Sequence, residues 1–302
     1  MIVHFKVICY TIPIHHSTES KEVVLMRFQA TILIDNQTQS DALIAEHGLS
    51  ILVTAQDGYR FLLDVGDSGA FLKNADTLGL DLNGLDAVVL SHGHYDHTGG
   101  LMDLVEQRVP PKEIYFGSFF FAPRYRRELG RMRGISARIQ EIDLMKKRLN
   151  YYMLNPSTCY PLHEGIWLMT GFSQTNRFET PVKAMVRRIG DELIPDDFCD
   201  EIAVILDGEK SLTILSGCSH NGVINICQRA SSYFQRPVSA FLGGTHLTDA
   251  EPARIRATVR ALDALGLRKV CACHCNGEEA SAIFARELHS YQPVCAGSTV
   301  EF

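Results

Sequence analysis

"LSHGHYDHTGG" (residues 90–100) crowds three histidines and an aspartate into six positions. The run before it, "LDAVVL" (85–90), is aliphatic and β-branched enough to be a buried strand, so the cluster starts where that strand ends. His92 and His94 stand two apart, and from an extended strand end two such side chains project the same way and can grip one metal ion. Asp96 and His97 follow after the chain has begun to turn, which directs them to a second ion. Gly93 gives the turn backbone freedom, and Gly99 and Gly100 let the next helix start close against the sheet. Three imidazoles and a carboxylate suit Zn(II), Fe(II) or Mn(II), and ligand type alone does not choose among them, zinc being kept as the first expectation and manganese or iron behind it. Two such ions a few ångströms apart can hold a hydroxide at neutral pH, because a bound ion lowers the pKa of water towards about 7. That hydroxide is the expected nucleophile. Satisfied polar residues at a strand end are the plainer reading, and the spacing sets it aside.

Working outward, the first half reads as strands at 28–35, 50–57 and 59–66, with Asp57-Gly58 as a hairpin turn, followed by a helix at 70–80. The second half alternates: strand 210–217 into a helix from Val223, strand 238–244 into helix 251–266, and strand 268–273 into helix 278–290. Each of these strand exits carries a histidine, namely His92, His220, His246 and His274. Open α/β sheets bind ligands beyond the carboxyl ends of their strands, so histidines distant in sequence can converge there. His47 in "EHGLS" is placed over the site or in a polar loop, while His163 and His289 are assigned to structural or surface roles. Cys271 and Cys273 alternate along one strand and face one packed layer.

Between the halves, residues 124–150 hold nine Lys or Arg against three acidic residues. A basic helical insertion with a solvated face is expected, and a lid that guides an anionic substrate is the sharper alternative. Residues 1–25 read as an N-terminal extension whose His15 and His16 are solvated, and 26–302 as a single domain.

At 302 residues with 46% hydrophobic residues, the chain can bury a large core. A net charge of -6 argues against nonspecific nucleic-acid binding. No apolar run is long enough to span a bilayer, so no membrane partner is expected. Nine scattered cysteines do not form a disulfide framework, which favours a reducing cytoplasm.

"SHGHYDHTGG" also resembles the H-x-H-x-D-H signature of the metallo-β-lactamase fold superfamily, and "FLLDVGDSG" (61–69) is similar to the strand and Asp turn that precede it there. The resemblance implies an α/β fold, a four-layer αββα sandwich with a dinuclear metal site at the sheet edge. It implies His92, His94, Asp96 and His97 as ligands and Asp64 as a residue that orients them. "GCSHNG" offers His220 to the ion of His92 and His94, and "CHCNG" offers His274 to the other. Asp96 is also the expected catalytic residue. The superfamily often has a bridging aspartate where this chain has Cys218, which is read as a thiolate ligand or, by preference, a buried thiol. His246 in "GGTHL" is read as a ligand or a substrate-facing residue. The set "EHGLS", "GCSHNG", "GGTHL" and "CHCNG" is similar to the branch named for 7,8-dihydropterin-6-yl-methyl-4-(β-D-ribofuranosyl)aminobenzene 5'-phosphate synthase. That branch implies joining an activated pterin to an aromatic amine phosphate with loss of diphosphate. The leading expectation is a metal-dependent hydrolase that uses a metal-bound hydroxide on a small anionic substrate such as a phosphoester or lactone. The pterin-linked transferase is the alternative, with a diiron redox enzyme or a noncatalytic metal-binding protein behind it.

Overall fold

The computed structural model describes residues 27–302, so the expected extension at 1–25, with His15 and His16, lies outside the described residues. The chain opens with β1 (Phe28–Ile34), β2 (Ser50–Ala55), β3 (Arg60–Leu63), α1 (Ala70–Thr77), β4 (Ala87–Val89), α2 (Tyr95–Thr98), α3 (Leu101–Gln107) and β5 (Glu113–Gly117). It continues through β6 (Arg124–Glu128), β7 (Arg131–Gly134), α4 (Glu141–Lys146), β8 (Tyr151–Leu154), β9 (Cys159–His163), β10 (Ile166–Thr170), β11 (Met185–Ile189) and β12 (Glu192–Pro195). The last part runs β13 (Ile202–Asp207), β14 (Leu212–Ser216), α5 (Val223–Phe234), β15 (Val238–Gly244), α6 (Pro252–Ala264), β16 (Lys269–Cys273), α7 (Glu278–Glu287) and β17 (Thr299–Glu301).

Two large sheets form, in the orders β17-β1-β2-β3-β4-β5-β8 and β16-β15-β14-β13-β10-β9. Strand alternation sorts their side chains into layers. Ile32, Ile51, Leu63 and Val89 of the first sheet share one apolar cluster with Leu168, Ile202, Val204 and Leu242 of the second, so the sheets pack face to face. The opposite face of the first sheet, with Leu62 and Val88, packs on Phe71 of α1, Leu104 of α3 and Leu144 of α4. The opposite face of the second, with Ile205 and Phe241, packs on Ile226 of α5, Val259 of α6 and Phe284 of α7. The result is the expected αββα sandwich. Cys271 and Cys273 both sit in the inter-sheet layer, as their alternation implied. Among the described residues no helix is long and apolar enough to cross a membrane.

The expected strands appear as β1 to β4 and β14 to β16, and β2 pairs antiparallel with β3 across a turn in which Gly58 has φ 92°. Because β3, β4 and β5 run parallel, as do β14, β15 and β16, their carboxyl ends line one edge of the sandwich. Residues 124–150 correct the expectation of a basic helix. They form the hairpin β6–β7 and only the short α4, and β6 pairs with β11 in a third sheet of order β12-β11-β6-β7. Leu129 and Gly130, at φ 47° and 75°, close the hairpin in a conformation no helix allows, and the strand partner lies far along the chain. Nor is the segment simply solvated, since the Arg124 guanidinium is fully buried.

Candidate metal centre

The turn after β4 stays extended through His94 (φ -102°, ψ 152°) and then enters α2. His92 Nε2 lies 3.0 Å from His94 Nδ1. His220, carried by the loop after β14, brings its Nε2 to 3.2 Å from His92 Nε2. Burial lowers the pKa of all three imidazoles well below the usual value, so they are neutral and offer lone pairs. Three buried lone pairs that converge repel one another unless a cation or a shared proton lies between them, and this donor set fits a metal ion.

A second set lies beside it. Asp96 Oδ2 is 3.5 Å from His97 Nε2, 3.4 Å from His274 Nε2 and 3.4 Å from His47 Nε2. The buried Nε2 of His274 has no hydrogen-bond partner, which again fits a cation. Burial alone would raise the Asp96 carboxyl, but His97, His274 and His94 outweigh it and hold it well below the usual carboxylate range. Burial likewise opposes charge on His97, yet Asp64 and then Asp96 prevail and lift its pKa to about 9. Asp64 accepts a hydrogen bond at Oδ2 from Ser91 Oγ at 2.7 Å and lies 2.7 Å from His97 Nδ1, while Ser91 Oγ is 2.9 Å from His92 Nδ1. One carboxylate therefore orients an imidazole of each set.

These protonation states give an expected result. At pH 7 an ion entering His92, His94 and His220 releases no proton, whereas one entering the Asp96 set displaces about one from His97. Affinity of the second set then falls about tenfold per pH unit below the His97 pKa. Calorimetric titration in buffers of different ionisation enthalpy measures both values, and equal proton release at the two steps contradicts the assignment.

The remaining expected residues also gather here. Cys218, favoured as a buried thiol, is buried, and burial raises its pKa, but its Sγ stands 3.1 Å from His97 Nε2 and within the donor group of His92 and His97. His246 is half-buried with its ring 4.2 Å from that of His220, and its backbone N–H donates to Cys275 Sγ at 3.2 Å. His47 is exposed, at 5.3 Å from the His274 ring. His163, by contrast, pairs with Asp57 away from the centre at 2.5 Å. Asp64, Ser219, His246 and His274 all hold positive φ between 49° and 60°, the strain expected where structure is organised around a site.

Sequence reasoning missed the carboxylates beneath the ligand loops. Asp200 Oδ2 accepts the Gly93 N–H at 2.7 Å, and Glu201 accepts the backbone N–H groups of His220 at 2.6 Å and Asn221 at 2.9 Å. Burial pushes the Asp200 carboxyl up to about 6 and that of Glu201 to about 7, even with these bonds. Their signal was the acidic run "DDFCDE" (196–201) just ahead of an apolar strand. Gly93 itself has no room for a side chain, because a Cβ would run into the Phe120 carbonyl. Gly93→Ala is expected to cost about 1–3 kcal/mol by overpacking and to lower metal content, measured by urea unfolding and elemental mass spectrometry.

Residues 43–221 match the family model of the metallo-beta-lactamase superfamily. The chain belongs to that superfamily. It is 28% identical over 274 residues to the 7,8-dihydropterin-6-methyl-4-(beta-D-ribofuranosyl)-aminobenzene-5'-phosphate synthase of Methanocaldococcus jannaschii, covering 85% of this chain and 90% of that one. The crystal structure of Tm1679, described as a metal-dependent hydrolase of the beta-lactamase superfamily, aligns with a TM-score of 0.76 and 28% identity over 91% of this chain and 99% of that one. Zn(2+)-bound PqqB from Methylobacterium extorquens aligns at a TM-score of 0.56 over 90% of this chain and 99% of its own, and at 11% identity it supports the superfamily fold alone.

Proposed function

We propose that this metallo-beta-lactamase superfamily member is a metal-dependent hydrolase that acts on a small anionic substrate with two divalent ions, zinc first among the candidates and manganese or iron behind it. The observation that carries this reading is the convergence of two adjacent donor sets on one pocket. That pocket is lined by His94, His220, His246 and His274 and also by Arg126 and Arg133 of the β6–β7 hairpin. His92, His94 and His220 would hold one ion and Asp96, His97 and His274 the other, with Cys218 Sγ between the sets. Bound ions there would supply Lewis acidity and a lowered pKa for water. The chain's own residues do the rest. Asp64 fixes the His97 ring through Nδ1 and the His92 ring through Ser91, so the donor atoms are preorganised. Desolvation against the pocket lowers the His47 pKa although its ring edge reaches solvent, so its Nε2 can take a proton beside Asp96 and pass it on.

A second reading has its own support. Identity to the dihydropterin-linked synthase extends over most of both chains, and the product in that protein's name carries a phosphate. A transferase would use the same pocket with an aromatic amine, in place of water, as the attacking group. The test is to load the full chain with zinc, manganese or iron and assay two panels. One panel holds phosphoesters and lactones; the other pairs a dihydropterin diphosphate with an aminobenzene riboside phosphate, read by diphosphate release. Turnover of the first panel supports the hydrolase. Amine-dependent diphosphate release replaces it with the transferase, and metal loading without turnover on either panel rejects both.

A further inference from the structure

The β6–β7 hairpin sets Arg126 directly opposite Arg133. Cross-strand partners project from the same face of a sheet, and like charges placed so repel. This face looks into the metal-centre pocket, whose lining includes both arginines together with His94, His220 and His246. The counter-charges now beside them are few. Arg126 Nη2 donates to Asp249 Oδ2 at 3.2 Å, and Asp249 is a largely exposed side chain. Glu128 Oε1 lies 3.1 Å from Arg126 Nε and 4.0 Å from Arg133 Nη1, but it does not meet Arg126 Nε in hydrogen-bonding geometry, leaving that buried N–H without an acceptor. Arg133 Nη2 donates to the neutral Tyr95 hydroxyl at 2.8 Å. Exposed carboxylates hold such pairs weakly, and a neutral phenol supplies no charge.

We infer that Arg126 and Arg133 form a guanidinium clamp for a phosphoryl group of the substrate. The inference rests on the proposed metal-dependent reading of the same pocket and narrows its substrate class to phosphate esters or diphosphates. Two planar forks supply more donors than Asp249 and Glu128 engage here, whereas a phosphoryl dianion offers three oxygens that both forks can engage. Such an anion relieves the Arg126–Arg133 repulsion and takes the place of Asp249. The phosphoryl group then lies on the hairpin side, and the histidine side faces the bond that reacts. Arg127, the next residue on β6 and opposite Met132, is exposed on the other face and serves as a charge-matched control.

The probe is inorganic phosphate, titrated calorimetrically into the full chain both metal-loaded and after chelator treatment. The double variant Arg126→Gln, Arg133→Gln is expected to weaken phosphate binding at least tenfold in both states with metal content per chain unchanged, while Arg127→Gln changes it less than twofold. Asp249→Asn, which leaves the hairpin arginines in place, is expected to tighten binding up to about fivefold, the scale of one exposed ion pair. Wild-type affinity in a folded double variant overturns the clamp. If the double variant does not fold, unchanged affinity in Asp249→Asn overturns it instead. Loss of phosphate binding without turnover of any substrate by the wild type keeps the clamp and rejects the enzyme reading. Turnover of phosphoesters with an unchanged KM in the double variant keeps the enzyme reading and rejects the clamp.

Discussion

Asp96→Ala is expected to lose one of two bound ions and nearly all activity while the protein remains folded. Its Oδ2 lies 3.4 Å from His47 Nε2 and from His274 Nε2 and 3.5 Å from His97 Nε2, so its removal leaves the second donor set without its carboxylate. A single carboxylate in such a set neutralises part of the ion's charge, and neutral nitrogens do not replace that. Loss of a partner that merely orients a ligand typically costs about 10–100-fold, and loss of the ligand itself should exceed this. The fold should survive because the backbone carbonyl of Asp96, which accepts the Leu49 N–H, is untouched. Elemental mass spectrometry on protein purified without chelator, beside a kcat/KM measurement, reads both effects. A variant that keeps two ions per chain would mean that Asp96 is not a ligand.

Arg124→Met is expected to be the most destabilising single change to the charged residues around the site. The buried guanidinium donates from Nε to Asp196 Oδ2 at 2.9 Å and from Nη1 to the Phe120 carbonyl at 2.8 Å, and its Nη2 lies 2.8 Å from Asp200 Oδ1. Methionine fills part of the volume but leaves two buried carboxylates without their cation, a defect worth about 3–5 kcal/mol. Burial already lifts Asp200 to about 6 with the arginine present, and without it the folded-state value must rise further. A carboxyl whose folded pKa exceeds its unfolded value binds more protons when folded. Stability is therefore lost as pH rises through that interval. The gap between variant and wild type should be widest at pH 8 and narrower at pH 5.5, as urea unfolding at the two values would measure. Equal gaps would place the cost in packing instead of charge.

Much of this centre was legible because its information is local. Aliphatic, β-branched runs locate β4, β14, β15 and β16, and the residue beyond each strand end is read directly, so His92, His220, His246 and His274 could be placed together before any pairing was known. Asp200 and Glu201 were not legible in that way. Their role depends on the approach of the loop before β13 to Gly93 and His220, contacts between segments far apart in sequence. The hairpin failed for a related reason: Arg-rich segments suit a helix by composition, and what makes β6 a strand is its pairing with β11, which no local pattern reports. Cys218 was half read. Burial follows from its residue type, but contact with His97 follows from convergence of the β4 and β14 exits.

His92 and His220 are separated by 128 positions, and they follow the carboxyl ends of strands that belong to different sheets. An ion gripped by both would staple the two halves of the sandwich, much as a disulfide closes a loop. Unlike a disulfide, the ion would be released when the chain unfolds, so its binding free energy would add directly to the stability of the folded state. Catalytic metal and architectural cross-link would then be the same atom, and selection for either property would act on the other.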